Sequence, residues 1–219
     1  MTINACTKSF GQNTVLRCPA LKLEPGLIYA VIGANGSGKS TFARLASGTL
    51  PADGNIKAAG SGETVRYMPQ KSHAFRMRTL SNILLGGKDR SRAEKLMDSL
   101  RLDGLSERRA GVLSGGETAK MALARVLMQP CDVLILDEPT AAMDMESSAV
   151  SEQLILDYRQ ETGCAVLLIT HDLHQARRLA DQAIFFHQGE LLETGPAERV
   201  LFHPDCEATE RFLDFYGGA

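Results

Sequence analysis

The chain has 219 residues, enough for one large domain or a domain with a sublobe. Charged residues make up 23% and nearly cancel, with a net charge of -2, so charge gives no support to a DNA or RNA partner. The longest apolar runs are strand-sized, far short of the roughly 18 residues a membrane helix needs, so the sequence predicts no bilayer span and assigns any transport role to a separate membrane subunit. Five cysteines, Cys6, Cys18, Cys131, Cys164 and Cys206, are scattered without a Cys-x-x-Cys pair, which points to reduced thiols rather than a zinc site or a disulfide framework.

In chain order, residues 27–32 form an apolar run that ends at a glycine loop and read as a buried strand. Residues 40–48 read as a helix with Gly48 as its stop. Val65–Met68 is a short strand closed by Pro69. From 81 to 129 the pattern is helical, most clearly at 91–100 and 116–128. Residues 133–136 and Ala165–Ile169 return to buried strands, with helical spacing between them at 146–161. Residues 184–186 and 190–193 flank His187-Gln188-Gly189 as a hairpin, and Ala197–Phe202 and 205–216 are helical. Alternating buried strands and helices predict an α/β sheet domain, and the helical middle predicts an inserted lobe. Such sheets place ligands beyond the carboxyl ends of their strands, where Gly33, Asp137 and His171 are each expected.

Gly33-Ala34-Asn35-Gly36-Ser37-Gly38-Lys39-Ser40-Thr41 fits the phosphate-binding loop at every fixed position, with a strand before it and a helix after it. The glycines let backbone amides turn inward around phosphate oxygens, and the helix start adds its positive dipole end. Lys39 can reach the β- and γ-phosphates, and Ser40 can ligate magnesium. Asp137 and Glu138 close a buried strand: an aspartate there can hold magnesium, and a neighbouring glutamate can polarise the attacking water.

Ser114-Gly115-Gly116-Glu117 has two compatible readings. Ser-x-x-Glu is a capping box that satisfies amides at a helix start. A glycine-rich helix start also offers amides and a hydroxyl to a phosphate. His171 follows a strand on the expected rim and can sense a γ-phosphate. Gln70 follows Val65–Met68 and Pro69, and its amide can contact both the magnesium sphere and a moving lobe. Phe10, in Lys8-Ser9-Phe10-Gly11, either stacks on an adenine or makes a core contact.

In this order, the phosphate loop, Gln70, Leu113-Ser114-Gly115-Gly116-Glu117, residues 133–140, Ala142-Met143-Asp144 and Thr170-His171-Asp172 resemble the ATPase subunits of ATP-binding cassette (ABC) transporters. The resemblance runs from Phe10 to the C-terminal helices. It implies a P-loop NTPase core with a mostly parallel sheet and flanking helices, a small antiparallel β lobe and an inserted α-helical signature lobe. The core would comprise 1–69 and 130–219, and the lobe 70–129, within a single domain. It also implies ATP and Mg2+ as ligands and a head-to-tail homodimer with two sites. Phe10, Lys39, Ser40, Gln70, Asp137, Glu138 and His171 would act from one chain, with Ser40, Gln70 and Asp137 around the metal. Ser114, Gly115 and Gly116 would cap the γ-phosphate from the other, and Asp144 would lie in the loop linking the two sites.

The implied partners are a transmembrane permease, which docks on the lobe at 70–111, and a solute-binding protein; the implied location is the cytoplasmic face of the membrane. Met143, Thr118-Ala119-Lys120 and Phe10 depart from the commonest family residues without removing a catalytic group. The short span from Lys39 to Gln70 implies a trimmed antiparallel lobe. Residues 171–181 and 189–196 are similar to those of tungstate and phosphate importers, so an oxyanion, tungstate ahead of phosphate or molybdate, is the expected solute. The alternatives are another small solute, or a soluble ABC ATPase such as one for iron–sulfur cluster assembly. A long coiled-coil insertion or a tandem cassette, the marks of repair and translation members, is absent.

Overall fold

The computed structural model describes residues 1–55 and 62–217. In chain order the elements are β1 (Thr2–Ile3), β2 (Cys6–Phe10), β3 (Asn13–Cys18), β4 (Leu21–Lys22), β5 (Ile28–Ile32), α1 (Lys39–Ala46), β6 (Val65–Met68), α2 (Thr79–Leu84) and α3 (Arg90–Ser99). They continue with α4 (Gly115–Val126), β7 (Val133–Asp137), α5 (Met145–Thr162), β8 (Ala165–Ile169), α6 (Leu173–Leu179), β9 (Gln182–His187), β10 (Glu190–Pro196), α7 (Ala197–Phe202) and α8 (Glu207–Tyr216). Two compact units result: 1–67 with 131–137 and 163–219, and 68–130 with 138–162. Among the described residues, no helix is long and apolar enough to cross a membrane.

The apolar runs become the centre of the first unit. Strands β5, β7 and β8 are buried at every position, as expected of parallel strands covered on both faces. An eight-stranded sheet runs β2-β3-β10-β9-β5-β8-β7-β6. Strand β5 is parallel to both β8 and β9, and β7 is parallel to β8. Antiparallel pairs include β2 with β3, β9 with β10, and the separate pair β1 with β4.

Side chains alternate across the sheet and build two cores. Tyr29 and Val31 join Phe42 of α1 on one face, while Ala30 and Ile32 join Leu173 of α6, Val200 of α7 and Phe212 of α8 on the other. Neighbouring Phe185 and Phe186 split accordingly: Phe186 packs on Phe42 at 5.0 Å, and Phe185 on Phe212 at 5.2 Å between ring centroids. Burying each such ring stabilises by about 1.5–3 kcal/mol. The β9–β10 hairpin turns at Gln188 and Gly189, both at positive φ (48° and 83°), the sign pattern of a type I′ turn.

The second unit contains α2 to α5. Asn82, fully buried on α2, accepts from the Phe75 amide at 2.9 Å and donates to the Phe75 carbonyl at 3.2 Å. Arg125 of α4 donates to the Asn82 carbonyl at 2.9 Å, which ties α4 to α2. Arg92 of α3 donates to the Leu127 carbonyl and, in a bidentate pair, to Glu161 of α5. The Tyr158 hydroxyl of α5 donates to the Gln129 carbonyl at 2.6 Å.

Candidate functional site

The loop between β5 and α1 is shaped by backbone that only glycine supplies at low cost. Gly33, Gly36 and Gly38 lie at φ of 145°, 79° and 105°. A Cβ on Gly33 would fall onto the Phe186 carbonyl oxygen and lie 2.7 Å from Ser37 Oγ. Strand β3 and the β9–β10 turn support the other end. A Cβ on Gly38 would lie 2.9 Å from Leu16, and the Gly189 amide donates to the Ser37 carbonyl at 3.0 Å.

Inside this loop the Lys39 ammonium donates to the Gly33 and Ala34 carbonyls at 2.7 and 2.9 Å. The side chain is therefore curled over the loop, and the residue is only 6% exposed. No side chain caps the start of α1, and its first turn carries no acidic residue. Ser37 Oγ is buried with no hydrogen-bond partner among the described residues. Uncapped amides, a buried ammonium and an orphaned hydroxyl around a glycine turn fit a phosphate group, whose oxygens accept from all three. Asn35 is exposed at the loop tip, and Thr41 follows Ser40 in the first turn of α1.

The sheet register brings the other strand ends to the same rim. Ile169 pairs with Val31 on one side and with Asp137 on the other. Gly33 and His171 each lie two residues beyond this paired row. Asp137, 2% exposed, accepts from Ser40 Oγ at 3.3 Å through Oδ1 and from the Tyr67 hydroxyl at 3.5 Å through Oδ2. A carboxylate and a hydroxyl form an oxygen donor set suited to a hard cation such as Mg2+. Burial, reinforced by the Asp137 charge, pushes the Tyr67 phenol up to about 12, so it stays a donor.

His171 is exposed, and the turn around it is fixed. The Asp172 amide donates to Thr170 Oγ1 at 3.0 Å, and Asp172 Oδ1 caps α6 through the His174 and Gln175 amides. Phe10 ends β2 and is 53% exposed, with the Lys8 ammonium 5.5 Å over its ring. Its ring is accordingly a surface platform rather than a core contact.

The second unit holds the remaining candidates. Gln70 Nε2 donates to Glu138 Oε2 at 3.0 Å. Glu138 lies at φ 51°, a left-handed position unusual for a side-chain-bearing residue. Ser114 makes both arms of the capping box: its Oγ accepts from the Glu117 amide at 3.2 Å, and its amide donates to Glu117 at 2.7 Å. The Ser114 amide accordingly holds the Glu117 carboxyl below its ordinary value. Gly115 has open space where a Cβ would be, while a Cβ on Gly116 would lie 3.0 Å from the Ala142 carbonyl oxygen. Asp144 accepts from the Ser147 amide at 2.7 Å at the start of α5, and that bond holds its carboxyl low.

Tyr67 and Gly189 are the site neighbours that sequence reasoning passed over. Tyr67 was reachable, since it lies on the recognised strand Val65–Met68 three residues before Gln70. Gly189 gave only a turn signal, because its contact with the phosphate loop spans about 150 residues of sequence.

The family model described as ABC transporter matches residues 16–141. The tungstate uptake system ATP-binding protein TupC of Peptoclostridium acidaminophilum is 35% identical over 207 residues, covering 88% of this chain and 97% of that one. The zinc import ATP-binding protein ZnuC of Jannaschia sp. (strain CCS1) is 36% identical over 213 residues, covering 95% of this chain and 87% of that one. A solved ATP binding subunit of an ABC transporter superposes with a TM-score of 0.82 at 19% identity, covering 99% of this chain and 98% of that one, a likeness of fold.

Proposed function

The chain belongs to the ABC transporter family of ATP-binding subunits, and from that premise we propose that it is the ATP-hydrolysing motor of a multi-subunit importer. As a member it is an ATPase that uses ATP with Mg2+. The observation that carries the reading is the loop at 33–40, with its uncapped helix start and curled Lys39, joined to Asp137 through Ser40.

In this reading Lys39, Ser37, Thr41 and the loop amides of 33–38 hold the phosphates, and Phe10 offers its exposed face to the adenine. Ser40, Asp137 and Gln70 would hold Mg2+, which when bound neutralises charge on the phosphates. Glu138 takes the proton of the attacking water, and His171 senses the γ-phosphate. The hydrogen bond from Gln70 aims the Glu138 carboxylate. Ser114, Gly115 and Gly116 serve the partner copy's nucleotide in an ATP-dependent homodimer, and Asp144 links the two sites. Open space at Gly115 supports this role, since nothing crowds the helix start there.

The subunit works with a transmembrane permease and a solute-binding protein, as a peripheral protein on the cytoplasmic face of the membrane. The solute is an oxyanion, tungstate ahead of phosphate or molybdate. Support comes from the tungstate uptake relative, which this chain covers nearly end to end. The test is affinity purification of the tagged chain from detergent-solubilised membranes. A multi-span subunit should co-purify, and the reconstituted complex with its binding protein should hydrolyse ATP faster with tungstate than with phosphate or zinc. Recovery with soluble partners alone would overturn the importer reading, and stimulation by zinc would overturn the solute.

A further inference from the structure

Cys6 and Cys18 are twelve residues apart along the chain yet directly opposed across β2 and β3. Their exposures are 5% and 4%, and both contribute to the same core cluster, so both thiols lie on one face of the hairpin. Directly opposed antiparallel residues have Cα atoms about 4.5 or 5.5 Å apart, depending on the pair type. Both separations fall within the roughly 4.4–6.8 Å that a disulfide spans. Both residues also line one cleft of about 500 Å3 with Arg17, Asp53 and Glu190, wide enough to admit a small polar reagent beside them.

We propose that Cys6 and Cys18 form a dithiol modification site that a low-molecular-weight peptidic disulfide, of the glutathione type, oxidises to a cross-strand disulfide. The mixed charges of Arg17, Asp53 and Glu190 around the cleft suit a zwitterionic peptide. In the first step the Cys6 thiolate attacks one sulfur of the reagent. A protein–reagent disulfide forms, the reagent's own S–S bond breaks, and one reagent thiolate leaves. In the second step the Cys18 thiolate attacks the Cys6 sulfur, forming the Cys6–Cys18 bond and expelling the second reagent thiolate. The two protons of the protein thiols end on the two released reagent thiols. The protein is oxidised by two electrons and the reagent reduced by two. Cys6 goes first because the Cys18 thiol donates to it, which lowers the Cys6 pKa and raises that of Cys18. Cys131, Cys164 and Cys206 are likewise not disulfide-bonded and serve as internal competitors.

The experiment incubates the folded full chain with oxidised glutathione, blocks residual thiols and maps tryptic peptides by mass. Cleavage after Lys8, Arg17 and Lys22 separates the two cysteines. The expected product links peptide 1–8 to peptide 18–22, in excess over every other cysteine pair. Cys18→Ser should instead retain one glutathione on Cys6, and Cys6→Ser should abolish the link. A second measurement repeats the reaction on the urea-unfolded chain, where the preference for this pair should disappear. Glutathione found on Cys206 alone, a Cys131–Cys164 link as the main product, or equal yields from folded and unfolded chain would overturn the proposal.

Discussion

Ser40 Oγ donates to Asp137 Oδ1 at 3.3 Å, joining the first turn of α1 to the end of β7 across 97 residues of sequence. One hydrogen bond thus brings the phosphate loop and the acidic strand end together before any ligand is considered. Asp137→Asn keeps the shape and removes the charge. It should weaken Mg2+ dependence at least tenfold and lower ATP turnover, while leaving metal-free nucleotide binding within about twofold. Titration of ATPase activity against Mg2+, beside nucleotide binding in chelator, checks both halves.

Gly33→Ala tests the glycine cradle. The added Cβ would fall onto the Phe186 carbonyl oxygen, at a φ of 145° that L side chains rarely adopt. Strain of this kind costs about 1–3 kcal/mol. The variant should therefore unfold at lower urea and bind ATP poorly. Gly36→Ala has positive φ but open space, so it should cost less. Urea melts of the two variants decide, and equal losses would mean that the contact with Phe186 is immaterial.

The structure separates what periodicity can reveal from what it cannot. Strands β5, β7 and β8 were legible as 27–32, 133–136 and 165–169 because burial on both faces demands unbroken apolar runs. The helix expected at 146–161 is Met145–Thr162, and that at 91–100 is Arg90–Ser99 behind its Asp89 cap. The strands between 2 and 22 escaped notice because they are short and half exposed; β3, for example, alternates Thr14, Val15, Leu16 and Arg17 without a run. Helix α6 escaped as well, since His174, Arg177 and Arg178 dilute its apolar face. At the site, motif spacing named Ser40 and Asp137 but was blind to Tyr67, whose contact depends on strand order. The Cys6–Cys18 pairing was invisible for the same reason, because only hairpin register opposes the two thiols.

Ser114 serves the fold first, through its capping box. Ser114→Ala should cost about 1 kcal/mol of stability, the usual value of such a cap. Ser114→Arg should lose the same cap and also block ATP-dependent dimerisation, with monomer nucleotide binding unchanged within about twofold. Gel filtration with ATP, paired with a nucleotide-binding titration, distinguishes the effects. Loss of nucleotide binding by the monomer would place Ser114 in its own chain's site or in folding alone.

Tyr67 gives a pH dependence with a defined sign. Its phenol is raised to about 12 in the fold, against about 10 in the unfolded chain, chiefly by burial. Its contribution is fully present below pH about 10 and is lost as pH rises through about 12. Tyr67→Phe lacks this titration. The stability of the parent relative to Tyr67→Phe should therefore fall between pH 10 and 12 and stay flat between 7 and 9, as read from paired urea melts.

The most direct test of the motor assignment is steady-state phosphate release by Glu138→Gln beside the parent chain. Glu138 follows Asp137 in the chain and accepts from Gln70 at 3.0 Å. As the base for water it should be worth about 10²–10⁴-fold in turnover. Turnover should fall by that factor, with ATP still bound and the chain held as an ATP-stabilised dimer. Hydrolysis at the parental rate would contradict the account.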